Sequence, residues 1–258
     1  MKQWTGQDAE LFQQSGWHSL ILTVRGGTAL TGSKIGGKQV YEGIDRAGAL
    51  TFIPALADRQ SWYIDADLDY AGLFIHPRAA EEIPALAELA ALGPRVNASD
   101  ALIEGMLGGL AREIEDGAEP ELSFMDAFVS LIARQLARSD GRQPVHGGAG
   151  GPLSRRTLKT VAEYVSANVG RDIGLNALAE IADLSPDTFS RRFRASLGMA
   201  PSVYVQEQRV RHAAKLLIET DRTLSDIALA CGFSSQSHLN RVFKQITGDS
   251  PGAYRKKG

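Results

Sequence analysis

A helical phrase occurs twice in the last hundred residues of this chain, about fifty positions apart. The first copy reads Leu178-Ala179, Leu184-Ser185, Phe189-Ser190-Arg191-Arg192-Phe193-Arg194, Gly198, Pro201 and Tyr204. The second reads Ile227-Ala228, Phe233-Ser234, Leu239-Asn240-Arg241-Val242-Phe243-Lys244, Gly248, Pro251 and Tyr254. The offset is 49 before the internal turn and 50 after it, so the second turn holds one extra residue. A repeat constrains architecture more than any single motif, because both units must bury the same face in the same way. Each unit reads as a short helix, a tight turn and a second helix bearing cations. That is the layout of a helix-turn-helix, whose second helix enters the DNA major groove.

The local chemistry supports this reading. Ser185-Pro186 opens the first reading helix, with Ser as N-cap and Pro at a position whose N–H lacks a helical partner anyway. Phe189, Phe193 and Leu197 recur at i, i+4, i+8 and predict the buried face, which turns Ser190, Arg191 and Arg194 outward. In the second copy Thr223-Leu224-Ser225-Asp226 resembles a capping box, Gly232 supplies the turn, and Ser234 or Ser235 caps the helix. Leu239, Phe243 and Ile246 are expected inside, and Gln236, Ser237, Asn240, Arg241 and Lys244 outside. Arg forks onto guanine, Asn and Gln pair with adenine, and Arg194 and Lys244, one turn further on, suit phosphates. Pro201 to Glu219 reads as a helix of about 28 Å at ~1.5 Å per residue. Such a strut suits two reading helices placed about one DNA turn (~34 Å) apart.

The charge is divided in the same sense. Residues 1–140 carry 11 Lys and Arg against 20 Asp and Glu, while residues 141–258 carry 17 against 10. A basic half tied to an acidic half suggests a nucleic-acid-facing module joined to one that does not touch nucleic acid. Between them, residues 141–153 are rich in Gly and Pro and read as a linker. The single cysteine, Cys231, permits no intramolecular disulfide and no thiolate metal site, and its place before Gly232 suggests a packed thiol. The opening MKQWTGQDAE lacks an apolar signal region, and no apolar run approaches the ~20 residues of a membrane span. A cytoplasmic location is the expectation.

Residues 17–76 read as short strands: Trp17 to Val24, Ala49 to Ile53, Ser61 to Ile64 and Tyr70 to Ile75, separated by Gly, Pro and Asp. That spacing predicts a small barrel or sandwich. Two helices follow. Ile103, Leu107, Leu110 and Ile114 mark one; Leu122, Met125, Val129, Ile132 and Leu136 mark the other, close to a heptad seam. The second also carries Phe124, Phe128 and Leu131 on an adjoining stripe. A helix apolar over so much of its circumference needs two partners, its own sheet and a second subunit, unless both stripes lie in one core.

The second copy, Ile227-Ala228-x-x-Cys231-Gly232-Phe233-Ser234 through His238-Leu239-Asn240-Arg241-x-Phe243-Lys244 to Gly248, Pro251 and Tyr254-Arg255, resembles the signature of AraC/XylS-type transcription regulators. The resemblance extends over residues 155–256. It implies a seven-helix DNA-binding domain, promoter DNA as ligand, and activation of transcription through RNA polymerase. By position it places Ser190, Arg191, Gln236, Ser237, Asn240 and Arg241 against bases. Two residues depart from the pattern: Asp183, where a turn glycine is common, and Asp187, whose charge repels phosphate at the groove-facing end unless it accepts from a cytosine amine. The resemblance also implies a cupin-like β-barrel with dimerisation helices in residues 1–140, and residues 154–258 as the all-α domain, giving an α+β two-domain chain.

A barrel mouth is a place for a small-molecule effector. Trp17, His18, Trp62, Tyr63, Phe74 and His76 are the candidates to line it, although strand aromatics commonly serve as plain core. Leu122, Met125, Val129, Ile132 and Leu136 are the candidates for a homodimer seam. His18 and His76 are the only histidines of that half, and no His-x-His with a further Glu and His exists, so no metal is expected. Gly36-Gly37-Lys38 lacks the spacing of a phosphate loop, and no cofactor or catalytic group is expected. The sequence thus predicts an effector-controlled DNA-binding regulator. Control by a protein partner is an alternative, and a barrel enzyme with an accessory DNA-binding half a more remote one.

Overall fold

The computed structural model describes residues 2–5, 9–139 and 151–257. Most of the predicted linker, with His146, lies outside the described residues. The chain divides into two units, Met1–Val145 and His146–Gly258.

Among the described residues of the first unit, nine strands form two antiparallel sheets. They are β1 (Lys2–Thr5), β2 (Ala9–Gln14), β3 (His18–Gly27), β4 (Leu30–Ile35), β5 (Lys38–Gly43), β6 (Leu50–Ile53), β7 (Asp58–Ile64), β8 (Asp67–Ile75) and β9 (Arg95–Ala98). One sheet has the order β1-β8-β3-β6-β9, the other β2-β7-β4-β5. Both are open, with β1 and β9, and β2 and β5, as edges. The expected barrel is therefore not closed among the described residues: strand spacing predicts short antiparallel strands, but closure depends on which edges pair, and these edges do not. The β4–β5 hairpin, unread in the sequence, turns on Gly36 and Gly37 at φ +55° and +76°. Two consecutive left-handed residues are what a two-residue hairpin loop needs to match strand twist.

Alternation along β3, β6 and β8 sends Leu20, Leu22, Leu50, Phe52, Ala71 and Ile75 to one face of the larger sheet. Two helices, α1 (Ala101–Glu115) and α2 (Leu122–Arg138), and the 3-10 segments Pro77–Glu81 and Pro84–Ala91 supply the remaining core residues. From α1 come Ile103, Leu107 and Leu110, capped by the Asp100 side chain, which accepts from the Leu102 and Ile103 amides. From α2 come Phe128, Ile132, Ala133 and Leu136.

That packing corrects the predicted dimer seam. Ile132 and Leu136 are fully buried in their own unit, and Met125 and Val129 are half-buried against the same core. Only Leu122 of the five stands free, at 84 % exposure. The adjoining stripe is the more exposed one: Phe124 and Leu131 face outward, while Phe128 turns in. Heptad spacing identified an apolar face correctly and assigned it to the wrong neighbour, since the sheet lies there first.

The described residues of the second unit form seven helices: α3 (Arg155–Ala167), α4 (Leu175–Ile181), α5 (Pro186–Leu197), α6 (Pro201–Glu219), α7 (Leu224–Ala230), α8 (Gln236–Thr247) and α9 (Pro251–Lys257). The repeat appears as α4-α5 followed by the start of α6, and as α7-α8 followed by α9. Phe193 meets Tyr204 edge-on at 5.4 Å, and Phe243 meets Tyr254 edge-on at 5.3 Å. Those four residues stand at the fifty-residue offset, so the periodicity in sequence is a periodicity in packing. Gly198 and Gly248 close α5 and α8 in left-handed conformation at φ 73° and 80°. A side chain with a Cβ pays for that geometry and glycine does not.

Candidate nucleic-acid interface

Each motif is built from a short support helix and a capped reading helix. In the first, the Leu184 amide donates to Ala179 O at 3.1 Å across the turn, and in the second the Phe233 amide donates to Ala228 O at 2.9 Å. Asp183 and Gly232 both occupy the left-handed region there, at φ 53° and 73°. Asp183 thus keeps the turn that glycine would give. Ser185 accepts from the Thr188 amide at 3.4 Å and caps α5. Ser235, rather than Ser234, accepts from the His238 amide at 3.1 Å and caps α8. Ser234 instead bonds His238 Nδ1 at 3.1 Å, and the His238 ring packs edge-on against Phe233. His238 is therefore held on its own helix.

The predicted inward residues are placed as follows. Phe189, Phe193, Leu197, Leu239 and Phe243 are buried. Ile246 is exposed, contrary to expectation, and Val242 is buried in its stead. The inward face of α8 is thus centred one residue earlier than an i, i+4, i+7 count suggests.

Of the predicted DNA contacts, Arg191 and Arg194 on α5, and Gln236, Ser237, Arg241 and Lys244 on α8, are exposed. Ser190 is half-buried. Arg191 and Arg241 stand at equivalent places, one helical turn before the matched pair Arg194 and Lys244. Asn240 is half-buried, and its Oδ1 is buried without a hydrogen-bond partner. Bidentate pairing with adenine needs that oxygen, so Asn240 has to rotate before it reads a base in that way. Gln236 is held by a residue the sequence did not single out: Ser225 Oγ donates to its Oε1 at 3.1 Å. Among the remaining groups of α5, Asp187 is exposed, as expected.

Two arginines fix the frame that carries these helices. Arg209, midway along α6, donates from Nε to Val169 O (3.2 Å) and from Nη2 to Arg171 O (2.7 Å), behind the last turn of α3. Arg255 on α9 does the same to Leu217 O (3.2 Å) and Arg222 O (2.6 Å), behind the last turn of α6. Carbonyls in and just beyond the last turn of a helix lack intrahelical partners, and each guanidinium satisfies two such carbonyls with charge-assisted bonds. No outward-face argument finds such residues, because their role lies in the frame. Cys231 is fully buried within the core of the second motif, and burial pushes its thiol up to about 12, against the opposing charges of Arg209 and Arg222, so it remains protonated.

The six candidate effector residues do not converge. Trp17 and His76 are exposed and pack edge-on against each other at 4.9 Å, with His76 Nδ1 accepting from the Arg78 amide. His18 is buried over Phe52, its Nδ1 accepting from the Ala55 amide, and burial lowers its pKa. Phe74 is exposed. Trp62 and Tyr63, adjacent on β7, point to opposite faces of their sheet. The Trp62 indole occupies the space beside Gly32 that a Cβ there would need. Tyr63 receives a hydrogen bond from Arg59 Nη2 at 3.1 Å.

Among the described residues no helix is long and apolar enough to cross a membrane. The helix-turn-helix domain family matches residues 178–257, which span both reading helices. A protein named probable transcriptional regulator LumQ, of Photobacterium leiognathi, is 28 % identical over 159 residues, covering 60 % of each chain. An HTH-type transcriptional regulator of Staphylococcus aureus is 36 % identical over 103 residues, which cover 40 % of this chain and 14 % of the relative. The match thus spans less than two thirds of these relatives' length, 60 % of the first and 14 % of the second. The crystallised DNA-binding domain of AdpA, a global transcriptional factor in complex with a target DNA, is 35 % identical over 38 % of this chain and 88 % of that domain, with a TM-score of 0.37. The matched residues include those that cap, pack and present α5 and α8, and residues 178–257 form an AraC-type helix-turn-helix domain.

Proposed function

We propose that this regulator reads a bipartite promoter site with both motifs. Residues 154–258 act as the reading domain, joined by residues 141–153 to a sensing and dimerising domain of cupin-like ancestry in residues 1–140. Arg191 and Ser190 face bases from the first motif; Gln236, Ser237, Asn240 and Arg241 face them from the second. Arg194 and Lys244 hold phosphates. The observation that carries this reading is the exposed Arg191 and Arg241 pair at equivalent sites on two capped helices. A surface arginine alone means little, but the same arginine presented twice by the same local architecture points to one use.

A small-molecule effector in the β-rich unit alters how two copies of the reading domain are presented to DNA. The outcome is activation through RNA polymerase. Dimerisation falls to the exposed stripe of Leu122, Phe124 and Leu131 rather than to Ile132 and Leu136, which are consumed by the unit's own core.

Arg241→Ala tests the base-reading assignment on duplexes selected from a random pool by the parent protein. It should weaken specific binding by about 1–3 kcal/mol and relax preference at one position. A variant that discriminates every base as the parent does overturns the assignment.

A further inference from the structure

Arg59 lies in the middle of β7 and is only 7 % exposed. On either side of it the register places Ile35 opposite Arg59, Ser33 opposite Ser61 and Thr31 opposite Tyr63, with Tyr41 opposite Ser33 on the next strand. These residues share one face of the smaller sheet. Tyr41 and Ile35 belong to an apolar cluster with Ile53 and Val96 of the larger sheet, so that face looks across to the other sheet. Arg59 is therefore a cation enclosed between two sheets.

Its direct partners are neutral. Nε donates to Ser61 Oγ at 2.7 Å, and Ser61 Oγ in turn lies 2.7 Å from Ser33 Oγ. Nη2 donates to the Tyr63 hydroxyl at 3.1 Å. A guanidinium carries five N–H donors and does not deprotonate in proteins. Two of the five are used, and no described carboxylate forms an ion pair with it. Asp45 is close enough to feel its charge, yet its own carboxylate is engaged by Asn97 Nδ2 at 2.5 Å, and burial pushes it up to about 6. Burying the remaining donors of a charged group is costly unless acceptors meet them, and Asp45, although it interacts with the charge, makes no hydrogen bond to them. Contrast Arg25, which is half-exposed and already paired at 2.7 Å with Asp69.

We infer that Arg59, with Ser61, Ser33 and Tyr63, forms the recognition point for a small organic monocarboxylate bound between the two sheets. This rests on the reading of the first unit as a sensor, and names the chemistry of what it senses. One guanidinium offsets one negative charge. A dianion such as phosphate would leave a second charge enclosed beside Asp45, which favours a monoanion. The carboxylate takes the unused Nη donors as a charge-assisted pair, with the hydroxyl row fixing its plane. Trp17, Phe74 and His76 have no part in this site.

The test uses the full chain and matched pairs that differ only in charge: butyrate and butyramide, hexanoate and hexanamide, cyclohexanecarboxylate and its carboxamide, with inorganic phosphate alongside. Thermal shift and calorimetry read the binding. At least one acid should bind at least about tenfold more tightly than its amide, and phosphate should not bind. Arg59→Gln should abolish the preference for acid while leaving DNA binding intact, and Arg59→Lys should keep the preference at reduced affinity. If amides bind as well as acids, or Arg59→Gln keeps the preference, the inference falls while the sensor reading stands. If no compound of either class binds, the sensor reading falls with it. Binding of phosphate in preference to every acid also overturns the assignment of a monocarboxylate.

Discussion

The two helix-turn-helix units share a backbone and differ in what surrounds it. Asp183 and Gly232 both turn through left-handed geometry, but Asp183 is exposed, whereas Gly232 sits in a crowded junction. A Cβ on Gly232 would lie 2.9 Å from Val169 O and 3.0 Å from the guanidinium of Arg209. Gly170, just before the carbonyl that Arg209 grips, would likewise bring a Cβ to 2.5 Å from Ala230 O. The segment behind α3, which serves the first motif, is thus seated directly on the turn of the second. The long α6 strut is one link between the motifs, and this junction is another. Glycine is dispensable in one turn because only conformation is at stake. In the other it is required by what passes beside it.

That difference predicts the largest effect. Gly232→Ala should destabilise the reading domain by about 2–4 kcal/mol, the sum of left-handed strain and overlap at the junction. Asp183→Gly relieves strain, loosens the unfolded chain and should come out within about 1 kcal/mol of neutral. Urea unfolding of the full chain followed by helical circular dichroism measures both. Equal costs at the two sites would show that the junction does not constrain the second turn.

A smaller effect concerns the groove-facing ends. Asp187 of the first motif stands where the second has Ser237, and both are exposed. A carboxylate in the first turn of α5 favours the helix by about 0.3–1 kcal/mol through the dipole, yet it repels phosphate oxygens. Asp187→Ser should therefore raise DNA affinity by about 1 kcal/mol at low salt while slightly lowering stability. Ser237→Asp should do the reverse. Titrations of the two variants against the parent's selected duplex measure the asymmetry, and unchanged affinity in both would mean that neither helix end approaches DNA.

Much of the second unit was legible because its information is local and stated twice. Caps at Ser185 and Ser235, C-terminal glycines at 198 and 248, and the Phe189-Phe193 and Leu239-Phe243 stripes each follow from neighbouring residues. The frame was not legible, since Arg209 and Arg255 act on carbonyls 33 to 40 residues away in sequence. In the first unit the apolar strands were readable, but β4 and β5 were not. Ser33 meets the Ser61 hydroxyl, while Thr31 and Tyr41 donate to the Trp62 and Ile44 carbonyls, so inward-facing positions are polar and the alternation that signals a strand is blurred. The dimer seam misled for a related reason. Periodicity reports that Ile132 and Leu136 are covered, and says nothing of what covers them.

The finest comparison is between Arg194 and Lys244, the last cations of the two reading helices. Their carbonyls accept from the closing glycines in the same way, at 2.8 Å from Gly198 and 2.9 Å from Gly248. Both side chains are exposed, so the two helices present a cation at matched points. A phosphate contact carries no sequence information, and its loss removes about one released counterion. Lys244→Ala and Arg194→Ala should each weaken binding to every duplex alike and reduce the slope of log affinity against log salt by about 1. Affinity measured from low to moderate salt decides between two cases. Equal losses of slope place both motifs on the DNA backbone at once. A loss confined to Lys244→Ala would mean that Asp187 keeps the first motif off the duplex, and that the repeat seen in packing is not a repeat in contact.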